Sequence, residues 1–212
     1  MLVKINPQNP QMRLVRKAVD ALRRGGTIIY PTDTTYGIGC DLFSTKAMQN
    51  LYDMRWQERG KPLSLICADL EHLSQYAKNV SNYAYKTMRR LFPGPYTFIL
   101  QASKQVPKML LTKQRTVGIR IPDSAICLAI VRELGNPLVN TSVYSSHYED
   151  VMLNDPIDIQ HRFGKAVDLI VDGGTLTADL STVVDLSGEV PEIIREGKGD
   201  VGFFVGQRGP VG

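Results

Sequence analysis

The stretch TIIYPTDTTYGIGC, residues 27 to 40, joins a short β-branched and aromatic run to a polar loop with two glycines. TIIY, residues 27 to 30, is typical of a buried strand, and Ser44 is a good cap for a helix running towards Arg55. Before this stretch, residues 12 to 24 carry apolar side chains at helical spacing, and Gly25-Gly26 ends that helix. Helix, strand, loop and helix in this order predict an α/β arrangement.

The same alternation continues along the chain. Further strands are predicted at LSLIC (63 to 67), YTFIL (96 to 100), TVGIRI (116 to 121), PLVNTSV (137 to 143), DLIVDGG (168 to 174), STVVDL (181 to 186) and EIIRE (192 to 196). Further helices are predicted at about 69 to 77, 81 to 91, 123 to 134 and 156 to 163. No repeat or linker divides the 212 residues, so we expect a single α/β domain with a mixed, twisted open sheet and a short tail at 201 to 212.

Composition narrows the class of protein. The three cysteines, Cys40, Cys67 and Cys127, are far apart and form no C-x-x-C pair, so neither a disulfide framework nor a zinc site is indicated. No apolar run approaches the roughly 18 residues of a membrane span, and the N-terminus lacks a signal-peptide core. We therefore expect a cytoplasmic protein without a membrane partner.

Charge is distributed unevenly along the chain. Residues 55 to 120 contain 12 Lys and Arg against 3 Asp and Glu, a balance of +9, although the whole chain carries +4. Such a basic block attracts phosphates, either of a nucleotide or of RNA. The alternative is that these side chains solvate helix faces and turns, as most surface lysines and arginines do.

The loop after TIIY has the composition of a binding loop. Its hydroxyl and carboxyl side chains, from Thr32 to Tyr36, follow a predicted strand, and the carboxyl ends of strands are where open α/β sheets bind ligands. Gly37 and Gly39 permit a sharp turn or a close approach of backbone to ligand. The chain contains no G-x-x-x-x-G-K-[ST] and no complete dinucleotide fingerprint, so a nucleotide site would be built differently from a P-loop or a Rossmann site.

Arg120 is the most informative basic residue because it lies between Ile119 and Ile121 on a predicted interior strand. A buried guanidinium requires a partner. That partner is either a structural carboxylate, such as Asp123 or Asp185, or the carboxylate or phosphate of a ligand. The strand at 137 to 143 also ends in polar residues that could bind an anionic group or cap a turn.

Seven motifs in order give a family resemblance. YPTDTTYGIGC, KPLSLIC, FPGPYTFIL, TVGIRIPD, PLVNTSV, STVVDL and IIREG have the order and approximate spacing of the YrdC/YciO family, over roughly residues 10 to 200. The resemblance implies the YrdC-like fold, a twisted open α/β sheet with a concave, positively lined cavity. It also implies synthesis of threonylcarbamoyl-adenylate from L-threonine, bicarbonate and ATP, with Mg²⁺ and release of pyrophosphate, for modification of tRNA.

The resemblance also implies roles for individual residues. Thr32, Thr34, Arg120 and Ser181 look like contacts to the amino-acid substrate. The residues that resemble nucleotide contacts are Arg55, Arg59, Lys61, Ser142 and Arg195. No covalent catalyst is implied, and His72, His147 and His161 are expected to be solvated, so no catalytic residue is named.

Three positions make the chain resemble the YciO branch more than the dedicated synthases. The resemblance implies arginine, histidine and asparagine at three positions of the synthase branch. In this chain those positions are Gln57, Ile66 and Tyr144. The alternative function is RNA binding without synthase activity, which the basic block would suit. The block lacks the dense aromatic residues that stack on bases, with Trp56 its clearest candidate.

Overall fold

The computed structural model describes residues 1–54, 62–143 and 153–205, and these residues form one mixed sheet with helices on both faces. The strands are β1 (Leu2–Lys4), β2 (Thr27–Pro31), β3 (Tyr36–Asp41), β4 (Ser64–Ile66), β5 (Tyr96–Gln101), β6 (Thr116–Arg120), β7 (Leu138–Ser142), β8 (Leu169–Asp172), β9 (Thr182–Asp185) and β10 (Glu192–Arg195). The helices are α1 (Met12–Arg23), α2 (Thr45–Met54), α3 (Leu70–Ser74), α4 (Asn82–Leu91), α5 (Ala125–Leu134), α6 (Pro156–Phe163) and α7 (Gly202–Val205).

The strands lie in the order β1-β8-β2-β3-β7-β4-β6-β5-β9-β10. The sheet contains parallel pairs, such as β4 with β6, and antiparallel pairs, such as β3 with β7. The predicted α/β class and mixed sheet are therefore confirmed.

Local sequence explains several element boundaries. The hydroxyls of Ser81 and Ser124 accept hydrogen bonds from the backbone N–H groups of Ala84 and Cys127, and so cap α4 and α5. Gly25 follows α1, and Gly135 follows α5 with φ of 81°, a left-handed conformation that suits a helix end. The predicted helices agree with these bounds to within a few residues.

Four elements were absent from the sequence prediction. These are β1, a 3-10 turn at Lys108–Leu110, α7 and, most important for the site, β3. The prediction treated residues 31 to 40 as one loop, but only the short segment 32–35 connects β2 to β3, and the two strands pair from Thr27 with Cys40 to Pro31 with Tyr36. Gly37 and Gly39 lie within β3, and two glycines in six residues are more typical of a loop than of a strand.

Apolar side chains form a core on each face of the sheet. One core includes Ile29, Leu65, Phe98 and Ile119, and Phe204 of α7 packs into it. The other packs α1 and α5 against β2 and β8, with Tyr30 among its members. Tyr30 reaches from this second core towards the polar part of the same sheet face.

Candidate ligand-binding site

Arg120 ends β6 with its side chain almost wholly inside the protein, since the residue is 4% exposed. Its Nη2 atom forms an ion pair with Oδ1 of Asp33 and donates a hydrogen bond to Oγ1 of Thr34 at 2.7 Å. Oγ1 of Thr32 lies 3.5 Å away. The partner is therefore a structural carboxylate, but it is Asp33 and not Asp123 or Asp185, because the loop before β3 folds back over the end of β6.

Hydrogen bonds fix the shape of this loop. The hydroxyl of Thr32 donates to the carbonyl of Thr35 at 2.6 Å and accepts from the backbone N–H of Thr34 at 3.2 Å. Nζ of Lys198 donates to the carbonyl of Asp33 at 2.6 Å. At the entry to the loop, the hydroxyl of Ser124 donates to the carbonyl of Pro31 at 3.0 Å. The loop is thus held in place by hydrogen bonds within itself, by the N-cap residue of α5 and by the segment after β10.

Three buried polar atoms of Arg120 and the 32–35 loop find no hydrogen-bond partner among the described residues. They are Nε of Arg120, Oδ2 of Asp33 and Oγ1 of Thr35. A buried polar atom without a partner costs about 1–3 kcal/mol, and more when it is charged. Such atoms therefore mark the place where a ligand bearing both a hydrogen-bond acceptor and a donor would be stabilised.

A second cluster joins the start of β9 to the end of β10. Nε and Nη2 of Arg195 donate to the carbonyl of Ser181 at 3.1 and 2.9 Å, and Nη2 also reaches Oγ of Ser181 at 3.2 Å. Oγ of Ser181 lies 2.9 Å from Oγ1 of Thr97 on β5. The structure brings together Ser181 and Arg195, which sequence analysis selected separately, and adds Thr97, which it did not select.

Small side chains connect the two clusters across the sheet. Phe98 of β5 pairs with Ile119 of β6, so Thr97 and Arg120 follow next to each other on adjacent strands. A Cβ atom on Gly118 would lie 3.2 Å from the Thr97 methyl carbon and 3.6 Å from the Ser64 Cβ atom. Gly118 therefore leaves space between the two clusters. We call the sheet face beneath this space the floor.

The far side of this floor is formed by β7 and β3. Ser142 pairs with Gly37, and Asn140 pairs with both Gly39 and Ser64. The Tyr30 hydroxyl lies 2.6 Å from Oδ1 of Asn140. Burial raises the pKa of Tyr30 well above its ordinary value, although the positive charge of Arg120 acts in the opposite direction. The phenol therefore stays a hydrogen-bond donor at neutral pH.

Sequence reasoning missed Asp33, Asn140 and Lys198 as site residues. Asp33 and Asn140 stood within segments whose polarity was noted. For Asp33, a polar residue shortly after a strand is a usable signal, whereas Asn140 lies inside β7. Lys198 carries no such signal, because only the chain path after β10 brings it to Asp33.

Several predicted contacts lie outside the described residues. These are Arg55, Arg59 and Lys61, together with Trp56, Gln57, Tyr144 and His147. Ile66 is described: it is buried and pairs with Arg120 across β4 and β6. Its side chain belongs to the core with α1 and α5.

Of the other histidines, His72 differs from the solvated side chain that we expected. It is half-buried, its Nδ1 atom accepts a hydrogen bond from the backbone N–H of Ala68 at 3.3 Å, and burial lowers its pKa. It lies on α3, where its ring also makes an edge contact with the ring of Tyr76, so its contacts are structural. His161, in α6, is exposed as expected.

Lys86, Arg89 and Arg90 of the basic block are exposed on α4. Arg90 packs over the ring of Phe203, with its guanidinium carbon 4.9 Å from the ring centroid. RNA binding by this surface stays a prediction. Within the described ranges, none of the helices has the length and apolarity needed to cross a membrane.

Metal-ligating side chains are not clustered in the part of the chain that the structure describes. No group of three or more His, Cys, Asp or Glu residues there is arranged to hold a metal ion. The Mg²⁺ expected with ATP stays a prediction.

Comparison with known proteins places this geometry in context. A family model for Sua5, YciO and YrdC, described as "Telomere recombination", matches residues 20–197. The uncharacterized protein YciO of Escherichia coli K12 is 42% identical over 202 residues, which are 95% of this chain and 97% of that protein. The threonylcarbamoyl-AMP synthase of Thiobacillus denitrificans is 34% identical over 168 residues, 78% of this chain and 87% of that enzyme.

Solved structures agree with the sequence matches. The crystal structure of E. coli YciO superposes with a TM-score of 0.91 at 41% identity, over 96% of this chain and 98% of that one. Pyrococcus abyssi Sua5 complexed with L-threonine superposes with a TM-score of 0.85 at 25% identity, over 93% of this chain and 57% of that longer one.

Proposed function

Because the chain belongs to the Sua5/YciO/YrdC family, we propose that it makes threonylcarbamoyl-adenylate from L-threonine, bicarbonate and ATP, with release of pyrophosphate, for modification of tRNA. The observation that carries the proposal is the buried guanidinium of Arg120, which has an unpartnered Nε atom and lies beside the Thr34 hydroxyl. Two relatives support it: a synthase 34% identical to this chain, and a Sua5 structure that contains L-threonine.

Arg120 binds the carboxylate of the amino acid in this proposal. A guanidinium presents parallel N–H donors that fit a carboxylate, and a charge-assisted pair excluded from water is stronger than an exposed one. Thr34 adds a hydroxyl beside the guanidinium, and Thr32 holds the loop in place. Asp33 neutralises Arg120 in the ligand-free protein, so the incoming carboxylate shares or replaces that ion pair.

The residues proposed to contact the nucleotide lie on both sides of Arg120, because β7 and β10 flank β6 in the strand order. Ser142 lies at the end of β7, and Arg195 sits at the end of β10 with Ser181 between it and Thr97. Arg55, Arg59 and Lys61 supply further positive charge for the phosphates in this proposal. Ser181 contacts the amino acid from the side away from Thr34.

The chemistry consists of two displacements that the protein orients. The neutral amine of threonine adds to bicarbonate and forms a carbamate with loss of water. A carbamate oxygen then attacks the α-phosphorus of ATP, and the bond to the leaving pyrophosphate breaks. Binding both reactants on one face supplies proximity, and the arginines stabilise charge on the transferring phosphate. No side chain forms a covalent bond.

The test is pyrophosphate release from ATP with Mg²⁺ and bicarbonate, measured with and without L-threonine. The wild-type protein should release pyrophosphate only with threonine, and Arg120→Ala should lower kcat/KM by about ten- to a hundredfold, since a hydrogen bond to a charged group contributes about 1.5–3 kcal/mol. Arg16→Ala is the matched control, because Arg16 forms an exposed ion pair with Glu133. Threonine-independent release, or full activity of Arg120→Ala, would contradict the proposal.

A further inference from the structure

Three side chains from three strands form a polar network that the proposed reaction does not use. The Tyr30 hydroxyl of β2 lies 2.6 Å from Oδ1 of Asn140 on β7. Nδ2 of Asn140 lies 3.4 Å from Oγ of Ser64 on β4. Asn140 is 6% exposed, and the pairing of Asn140 with Ser64 across β7 and β4 holds the two side chains on one face of the sheet.

The orientation of the Asn140 amide follows from the Tyr30 contact. A separation of 2.6 Å is typical of O–H···O and shorter than usual for N–H···O, so the phenol donates to the amide oxygen. Because burial keeps the phenol protonated at neutral pH, the amide oxygen is a fixed acceptor and the amide nitrogen points towards Ser64.

The amide nitrogen has more hydrogen-bonding capacity than the network uses. It carries two N–H groups. Among the described residues, the recorded contact is the one to Ser64 at 3.4 Å, which is long for an N–H···O bond. A nearly buried amide with a spare donor is a group that a ligand oxygen would satisfy.

The network lies beside the proposed amino-acid pocket. Ser64 pairs with Gly118 across β4 and β6, and Arg120 lies two residues further along β6 on the same face of the sheet. Gly37 leaves the room that the Asn140 side chain occupies, because a Cβ atom at Gly37 would collide with Oδ1 of Asn140. The absence of a side chain at Gly37 thus makes room for the amide of Asn140.

We infer that Asn140, with Ser64 beside it, is a specificity-determining donor for a neutral oxygen on the side chain of the amino-acid ligand. The inference rests on the proposed function, which puts the ligand's carboxylate on Arg120. A neutral acceptor suits this position because Tyr30, Asn140 and Ser64 carry no charge that would balance an anionic side chain. Tyr30 acts through Asn140 by fixing the amide, and so is a positioning residue.

L-Threonine and L-valine are suitable probes, since a methyl group in valine replaces the threonine hydroxyl. Their dissociation constants are measured by titration calorimetry with saturating ATP. The wild-type protein should bind threonine about three- to tenfold more tightly than valine, which is the effect of one net hydrogen bond. Asn140→Leu should bring the two constants within about twofold of each other and leave that for valine unchanged.

Two further variants distinguish loss of the Asn140 contact from loss of the folded structure. Tyr30→Phe/Asn140→Leu removes both partners together, which avoids leaving a buried hydroxyl unpaired, and should show the same loss of preference. Tyr30→Phe alone should lower the preference part of the way, because the amide is then free to turn. Asn136→Leu, in the segment between α5 and β7 with its amide near Asp41, is the matched control and should keep the wild-type ratio.

The possible outcomes separate this inference from the proposed function. A wild-type preference that survives in Asn140→Leu and in the double variant would overturn the role of Asn140. An equal loss of both amino acids in these variants would also overturn it, because a structural role predicts that result. Failure of the wild-type protein to bind either amino acid would overturn the proposed function, and this inference with it.

Discussion

The guanidinium of Arg120 and the carboxylate of Asp33 form an ion pair that water hardly reaches, since their side chains are 5% and 10% exposed. Each charge is stabilised chiefly by the other and by the hydroxyls of the loop. A single substitution therefore leaves one buried charge unpaired, whereas a ligand carboxylate can exchange with Asp33 without leaving Arg120 alone.

Arg120→Ala and Asp33→Ala should each lower the free energy of unfolding by about 3–5 kcal/mol, because each leaves a buried charge without its partner. Replacing both, as Arg120→Met/Asp33→Leu, should cost less than either single change. Urea unfolding followed by circular dichroism measures all three. Glu133→Ala, which removes an exposed ion pair with Arg16, should cost less than about 1 kcal/mol. Single losses as small as this control would show that the pair is not desolvated.

The buried charge of Arg120 was predictable from the sequence, but its partner was not. A lone arginine between two isoleucines on a strand predicts a buried charge, and the family motif predicts that Thr34 lies near it. Asp33 could not be singled out, because the partner depends on how residues 32–35 fold back. That path is set by hydrogen bonds from Ser124 and Lys198, which lie about 90 and 165 residues further along the chain.

The hairpin of β2 and β3 is the element that shapes the site. Gly37 and Gly39 interrupt the apolar pattern of β3, so its sequence resembles a loop. In the structure these glycines lie under the Tyr30 ring and the Asn140 amide, which come from the strands on either side. The missing Cβ atoms are a packing requirement set by neighbouring strands, and a local pattern does not contain that information.

Gly37→Ala should disrupt this floor, since its Cβ atom would collide with Oδ1 of Asn140 and lie 3.3 Å from the Tyr30 ring. We expect a loss of about 1–3 kcal/mol in unfolding free energy, typical of overpacking, together with weaker threonine binding. Thermal unfolding and titration calorimetry measure the two effects. Gly188→Ala has open space around the new Cβ atom and should change neither. An unchanged Gly37→Ala protein would mean that the floor is not closely packed.

The N-terminal caps of α4 and α5 can be used to distinguish an effect on stability from an effect on ligand binding. Ser124→Ala and Ser81→Ala each remove an N-terminal cap and should each cost about 1 kcal/mol. Ser124 also donates to the carbonyl of Pro31 at the start of the site loop, so its removal alone should weaken threonine binding. Equal threonine affinities in the two variants would show that this hydrogen bond does not position the loop.

Across the whole molecule, the two cores enclose groups that ionise only at high pH. Burial raises the pKa of Cys40 from about 9 to about 12, and that of Tyr36 from about 10 to about 12. Burial also raises the pKa values of Cys67 and Cys127. Raised values in the folded state mean that the folded protein retains these protons when the unfolded chain loses them.

Stability should therefore be insensitive to these groups below pH 9 and fall as the pH rises from about 9 towards 12. Each thiol contributes a loss of up to ~1.4 kcal/mol per pH unit in that range, because the unfolded chain ionises and the folded protein does not. Urea midpoints at pH 7, 9 and 10.5 measure the effect. Cys40→Ala should show a shallower decline. A flat profile above pH 9 would mean that the cores admit the charged forms.

The fold class and the order of most elements follow from the chain's periodicity, because apolar spacing alone distinguishes helices such as α1 from strands such as β5. The way in which distant strands meet does not follow from it. Thr97, Ser181 and Arg195 come together because β9 lies between β5 and β10, and no local pattern states that order. The cytoplasmic location stays a prediction.

In the proposed function, Arg120 binds the carboxylate of an amino acid. The most direct test is calorimetric titration of the ATP-saturated protein with L-threonine and with L-threoninol, in which an alcohol replaces the carboxylate. Threonine binding should be saturable and at least about tenfold tighter than that of threoninol, and this difference should be lost in Arg120→Ala. Equal binding of the two compounds, or a difference that persists in Arg120→Ala, would contradict it.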